Sequence, residues 1–338
     1  MDRLKKTSSI EIANILDESE VFGERQMIPT EVPIINIALS GNLRGGLTSG
    51  VTEIAGPSKH FKTGIALLLM RAFLNHHKDG VVLMYDAEFG TPGSYFTTFG
   101  IDMKRVFHTP ITDVEQLKHD IMLQLTELKR GEHVMIVIDS IGQLASKKEV
   151  DDAIEGKSVA DFSRAKAIKG LFRMVTPHLR IKDIPLIVVN HTYKTMEIYS
   201  KDVTGGGTGM TYAADTIWIV GRQQEKVEGA VAGFNFVLNV EKSRFVKEKT
   251  KLPIMVKFDV GIEPYSGLLE NAIEAGFIEK PSPGWYIKKG EKVKVREADT
   301  KTAEFWADIL ANEEFNTFIR KKYEISYGDI LEKSSEAE

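Results

Sequence analysis

Gly56-Pro57-Ser58-Lys59-His60-Phe61-Lys62-Thr63 lies between an apolar β-type run, Val51 to Ala55, and a helical run that begins Gly64-Ile65-Ala66-Leu67-Leu68. A strand that stops at a glycine and turns into a helix leaves several backbone N–H groups aimed at one spot. The helix dipole adds partial positive charge there, so the stretch reads as a phosphate-binding loop. In such a loop Lys62 reaches the β- and γ-phosphates as a point charge, and the Thr63 hydroxyl ligates Mg²⁺. The usual pattern is G-x-x-x-x-G-K-[ST]. Here Phe61 takes the place of the second glycine, where small size and freedom at positive φ are normally useful. The octapeptide alone therefore does not decide the reading, and the stretches around it must.

The chain of 338 residues is long enough for one large α/β domain with appendages, or for two domains. Hydrophobic residues at 42% and charged residues at 27% are globular values. No apolar run reaches membrane-spanning length, since the longest, Ile65 to Leu74, is broken by Arg71. Met1-Asp2-Arg3-Leu4-Lys5-Lys6 lacks the apolar segment of a signal peptide, and the absence of cysteine excludes disulfides and thiolate metal sites. A reducing cytoplasm fits. With a net charge of −4, nucleic-acid binding would have to come from local clustering of the 44 Lys and Arg.

Ser8-Ser9-Ile10-Glu11 has capping-box spacing, and Ile12, Ile15 and Leu16 follow at helical intervals. This predicts a short amphipathic helix that docks either on its own domain or on a neighbouring subunit. Val81 to Tyr85 reads as a buried strand ending at Asp86-Ala87-Glu88, which sets two carboxylates at a strand's C-terminal end. Thr112-Asp113-Val114-Glu115 opens a capped helix with Leu117, Ile121 and Leu125 on one face. His133 to Ser140 is a continuous apolar strand ending in Asp139, placed where phosphate-loop proteins carry the acid that holds the water shell of Mg²⁺.

Lys147 to Val159 is polar and reads as an exposed loop. The helical stretch from Arg164 to Lys182 has no acidic residue, and Lys166, Lys169 and Arg173 fall on one face, which phosphates would neutralise. Pro185 to Asn190 is a further buried strand, followed by His191. In the segment Thr192 to Met210, Tyr193, Lys194, Tyr199 and Lys201 precede Gly205-Gly206-Gly207-Thr208-Gly209, a composition that predicts a loop ordering on a nucleic-acid strand. Thr216 to Val220, Phe234 to Val240 and Ile254 to Phe258 read as an antiparallel extension of a mostly parallel sheet. A small mixed α/β module follows from Gly261, and the last residues, Glu332 to Glu338, read as frayed and mildly acidic.

Gly56 to Thr63, Tyr85-Asp86-Ala87-Glu88, Val137-Ile138-Asp139-Ser140, Asn190-His191 and the Gly205 to Gly209 loop, in that order and spacing, resemble the RecA family of recombinases. The likeness runs from about Ile28 to Tyr323. It implies a RecA-like phosphate-loop ATPase core at 31–262, an N-terminal oligomerisation helix and linker at 1–30, and a small C-terminal module and tail at 263–338. It further implies an ATP- and Mg²⁺-dependent enzyme that forms a head-to-tail filament on single-stranded DNA and exchanges it into a homologous duplex. A single-strand-binding protein and a loader are the implied partners, with no membrane role, in a cytoplasm that would be the host cell's for a viral chain.

By the same likeness Glu88 is the catalytic glutamate and Tyr95 stacks on adenine. Lys147 to Val159 and Thr192 to Met210 are the two DNA loops, and Lys242 and Arg244 reach across the subunit interface to the γ-phosphate. His191 stands where bacterial members carry a γ-phosphate-sensing glutamine, and the phage branch shares this change as well as Phe61. Two alternatives stay open: a ring-forming helicase on the same nucleotide core, and a mediator that binds ATP and DNA without turnover.

Overall fold

The computed structural model describes residues 1–23, 25–157, 163–194 and 202–325. Two compact units divide the chain. One comprises Met1–Ile28 with Leu47–Ile217, the other Pro29–Gly46 with Trp218–Glu338.

The first unit opens with α1 (Asp2–Thr7). After α2 (Pro33–Ser40), which belongs to the second unit, come β1 (Gly50–Ala55), α3 (Lys62–His76), β2 (Val81–Asp86), α4 (Gly93–Thr98), β3 (Val106–Pro110), α5 (Val114–Glu127) and β4 (Val134–Asp139). These are followed by α6 (Lys147–Ile154), α7 (Ser163–Lys182), β5 (Pro185–Asn190), a small hairpin of β6 (Thr192–Lys194) and β7 (Asp202–Thr204), and α8 (Thr208–Ala213). The sheet runs in the order β1-β5-β4-β2-β3 with every pair parallel, as strand–helix–strand connections require. Parallel strands covered on both faces are apolar over most of their length, and β1, β4 and β5 are buried at every position. Val114, Leu117, Ile121 and Leu125 of α5 and Ile168, Leu171, Phe172, Val175 and Leu179 of α7 pack on Ile136, Ile138, Leu186 and Val188. Asp113 starts α5 by accepting the Gln116 N–H at 2.8 Å, so the capped helix falls where the sequence predicts it.

In the second unit β8 (Thr216–Val227) carries the chain across from the first and is followed by β9 (Ala230–Ser243), β10 (Lys251–Lys257) and β11 (Gly261–Ile262). The order is β8-β9-β10-β11, with β9/β10 and β10/β11 antiparallel. The strands begin where expected or earlier, and β8 and β9 run several residues longer. Helix α9 (Leu268–Glu274), the three-stranded sheet β12 (Ile278–Ser282), β13 (Trp285–Lys288) and β14 (Val295–Arg296), and helices α10 (Ala303–Ala311) and α11 (Glu313–Tyr323) form the C-terminal part.

Three expectations are corrected. The N-terminal helix occupies Asp2–Thr7 rather than the stretch after Ser8. The Ser8 hydroxyl accepts the N–H of Ile10, two residues on and not three, which closes a turn instead of a helix cap. The first loop is helical from Lys147 to Ile154, because Ser146 and Glu149 form a reciprocal capping box. The second loop is pinned at its base by the β6/β7 hairpin, with Thr192 opposite Thr204. The loop residues Ser158, Val159, Tyr199 and Lys201 and the tail Glu332 to Glu338 lie outside the described residues. Among the described residues no helix is long and apolar enough to cross a membrane.

Candidate functional site

The C-terminal ends of β1, β2, β4 and β5 converge on one end of the parallel sheet, the position where open α/β sheets bind ligands. β1 stops at Ala55, Gly56 to Phe61 turn, and α3 starts at Lys62. Lys62 is buried, and its Nζ donates to the Pro57 carbonyl at 2.9 Å, a main-chain acceptor within its own loop. Burial pushes its pKa below the ordinary lysine value, while the carboxylates of Glu88 and Asp139 oppose that shift. A desolvated ammonium satisfied by one carbonyl is a ready partner for an incoming anion.

The Thr63 hydroxyl donates to Asp139 Oδ2 at 2.7 Å, joining the start of α3 to the end of β4. The other oxygen, Asp139 Oδ1, is buried without a hydrogen-bond partner. Burial drives the Asp139 pKa up to about 6, partly offset by the Thr63 bond. An orphaned carboxylate oxygen beside a hydroxyl is a donor set that fits a hard cation. Among the described residues no group of three or more acidic or histidine side chains could cage a metal.

Asp86 shapes the turn after β2: its Oδ1 accepts the N–H of Glu88 at 3.0 Å and of Phe89 at 2.8 Å. That turn brings Glu88 alongside the end of β4. The buried Ser140 hydroxyl donates to Glu88 Oε1 at 2.7 Å, and His191 Nε2, in the tautomer that carries the proton there, donates to the same oxygen at 2.9 Å. The Gln143 carboxamide approaches His191 Nε2 at 3.3 Å. Tyr95, on α4, is half-buried and meets Phe99 edge-on at 5.2 Å. Lys62, Thr63, Glu88, Asp139 and His191 thus gather at adjoining strand ends.

The cationic residues divide. Lys166, Lys169 and Arg173 are exposed along α7, and Tyr193 and Lys194 are exposed on β6. Arg164 is not available in the same way: its guanidinium donates to the carbonyls of Leu144, Ile141 and Gly142 at 2.6, 3.0 and 3.0 Å, which makes it a clamp on the segment after β4. Gly205 is buried beneath Asn190, and Gly206 lies over Ile168, whereas Gly207 is exposed.

The RecA N-terminal domain family matches residues 12–263, about three-quarters of the chain. The chain belongs to the RecA family. The C-terminal domain family of the bacteriophage T4 recombination and repair protein matches residues 265–319. That phage protein, UvsX, is 46% identical over 333 residues, covering 96% of this chain and 85% of its own length. The RecA proteins of Kineococcus radiotolerans and Leifsonia xyli subsp. xyli are 28% and 26% identical, over 81% and 94% of this chain and 77% and 87% of theirs. A RecA-like α/β core with a mostly parallel sheet is therefore the fold.

Of the residues that the RecA likeness points to, Lys242 and Arg244 lie in the second unit, at the end of β9 and just beyond it. Several participants escape a reading by resemblance. Glu53 is completely buried in β1, and its Oε1 accepts from Asn190 Nδ2 at 2.7 Å. The signal was a lone acid in an otherwise apolar strand interior. Ser140 and Gln143 reach Glu88 and His191 only once β2, β4 and β5 are laid side by side, and no local pattern reports that.

Proposed function

We propose that this RecA-family chain is a DNA-dependent ATPase. On this reading it polymerises head to tail on single-stranded DNA and catalyses homologous pairing and strand exchange in recombination, repair and recombination-dependent replication. The observation that carries the reading is the assembly at the strand ends: buried Lys62 resting on Pro57, the Thr63–Asp139 pair with its orphaned oxygen, and Glu88 gripped at one oxygen.

Gly56 to Thr63 would cradle the phosphates with main-chain N–H groups, and Lys62 would exchange the Pro57 carbonyl for phosphate oxygens. Thr63 and Asp139 would hold Mg²⁺, whose contribution when bound is to neutralise charge on the phosphate oxygens. Tyr95 would stack on the base. Glu88 would orient the attacking water and accept its proton through its second oxygen, Oε1 being occupied by Ser140 and His191. His191 also directly precedes β6, so its contact with Glu88 links the reacting end to the second DNA loop.

Lys242 and Arg244 of a neighbouring subunit would supply charge at the γ-phosphate, making hydrolysis wait for assembly. Lys166, Lys169 and Arg173, with Tyr193, Lys194, Lys201 and the glycines 205–207, would line the DNA path, Arg164 holding its frame. Residues 1–30 would serve subunit contacts, 31–262 the ATPase core and 263–338 an accessory module. A single-strand-binding protein and a loader would act with it in the cytoplasm.

The test couples a DNA-stimulated ATPase assay to strand exchange between a circular single strand and a homologous linear duplex. ATP release of phosphate that rises with single-stranded DNA, together with joint molecules and open helical filaments by electron microscopy, is the expected result. Closed rings that unwind duplex with one polarity would instead make it a helicase.

A further inference from the structure

Phe61 stands where phosphate loops usually carry glycine, and it adopts the conformation that glycine would have supplied, with φ +59°. An aromatic residue is rarely held in the left-handed region unless its surroundings fix it there. The ring lies directly against Gly64. A Cβ built on Gly64 would lie 2.5 to 2.8 Å from three carbons of the Phe61 ring, so only glycine leaves room for the ring at this point. Gly64 itself sits in the first turn of α3, where glycine is a poor helix former. Two local disadvantages are accepted to seat one ring, a conflict of the kind that marks functional positions.

From its seat on Gly64 the Phe61 ring faces outward along a chain of aromatics. Its centroid is 6.3 Å from that of Phe99, tilted by 36°, and Phe99 meets Tyr95 edge-on at 5.2 Å. Both distances lie in the range where ring pairs attract beyond their area of contact. Phe99 is anchored from behind, since Arg71 on α3 donates to its carbonyl at 3.2 Å. The helix that carries Tyr95 is thus fastened to the phosphate loop through side chains.

We propose that Phe61 is a positioning residue that ties the base-binding helix to the phosphate loop, so that a nucleotide's base and its phosphates are gripped as one unit. This rests on the reading of the strand ends as an ATP site. With glycine at position 61, the ring link between the loop and α4 would be lost while Arg71 still held the Phe99 carbonyl, and the base would contribute less to affinity.

The experiment measures binding of Mg²⁺-ATP and of inorganic tripolyphosphate, without DNA, to the full chain by titration calorimetry, with thermal midpoints as a check on folding. Phe61→Gly restores the common loop and leaves phosphates their cradle. ATP affinity should fall about three- to tenfold while tripolyphosphate affinity changes by less than about twofold. Phe99→Leu, which cuts the chain of rings from its other end, should reproduce that selective loss. Phe61→Tyr, which keeps the ring, should stay near wild type. Equal weakening of both ligands, or unchanged ATP affinity in Phe61→Gly and Phe99→Leu, would overturn the inference and leave the ATP site standing. A wild-type chain that bound neither ligand would overturn both.

Discussion

At the N-terminal ends of β1 to β5, charged side chains close on acceptors of their own neighbourhood. Arg105 donates to the carbonyls of Gly80 and Leu74, each at 2.9 Å, and to that of His77. Lys182 donates to the carbonyls of Leu125 and Leu128, His133 faces Asp79 at 2.9 Å, and Arg180 pairs with Asp215. At the C-terminal ends of the same strands Asp139 keeps a buried oxygen without a partner, and Lys62 is desolvated on a single carbonyl. One end of the sheet has its polar groups matched. The other holds them in a state that a ligand would complete. Substitutions at the two ends should therefore separate turnover from stability.

The largest expected effect is at the binding end. Glu88→Gln can still accept from Ser140 and hold a water but cannot take its proton, so the ATPase turnover number should fall about 10²- to 10⁴-fold. ATP affinity, filaments on DNA and the thermal midpoint should be kept. Turnover within a few-fold of wild type would remove Glu88 as the base and blur the contrast between the ends.

The opposite end should answer to acid. His77 is buried, stacked on His133 at 3.9 Å, with Phe73, His76, Asp79 and Arg105 around it. Burial, reinforced by His133 and His76, lowers its pKa to about 4. The unfolded chain, with an ordinary histidine near 6.5, binds the proton more tightly. The contribution is therefore present above pH 6.5 and is lost as pH falls toward 4, amounting to up to about 3 kcal/mol. His77→Phe keeps a ring for the stack, and its unfolding free energy, followed by urea denaturation from pH 7 to 4, should fall less steeply by up to that amount.

Asp139→Asn should act on stability and turnover in opposite directions. The raised pKa means that ionising Asp139 opposes folding: its favourable contribution exists below the ordinary carboxylate pKa and is lost as pH rises through about 6. In EDTA at pH 8 the amide variant should be about 1–2 kcal/mol more stable than wild type, and inactive as an ATPase. A destabilised variant would show that the carboxylate is better accommodated than its orphaned oxygen implies.

The smallest effect concerns α7. Replacing Lys166, Lys169 or Arg173 singly by alanine should reduce the salt dependence of single-stranded DNA binding by about 0.7 in the log–log slope for each phosphate contact removed. An unchanged slope in all three would move the DNA path off this helix.

How far these features could be read from the sequence follows from how local their causes are. The apolar runs that end in Asp86 and Asp139, the loop before Lys62 and the Asp113 cap are fixed within a few residues of chain, and they fall where predicted. The capping box at Ser146 and Glu149 is equally local, but it starts one residue before the polar stretch and composition alone does not report it. Ser8 failed in the other direction, because its hydroxyl found a nearer amide. Arg164 could not be told from its basic neighbours, since its acceptors lie 20 to 23 residues away on a segment that only folding brings close. Phe61 looked like a defect in a motif because its remedy is steric and sits three residues on, at Gly64.

Asn190 has a consequence for which sequences can replace this one. Its amide nitrogen has two hydrogens, and they go to Glu53 Oε1 and to the Gly205 carbonyl, each at 2.7 Å, while its oxygen accepts the His191 N–H at 2.8 Å. All of this happens with Asn190 and Glu53 at zero exposure, so water cannot stand in for a lost partner. Aspartate has the same shape but offers no donor, and would set two carboxylates and a carbonyl against one another. In a library randomised at both positions and selected for function, aspartate at 190 should survive only where residue 53 has become glutamine. The two sites would then vary as a single character with two spellings.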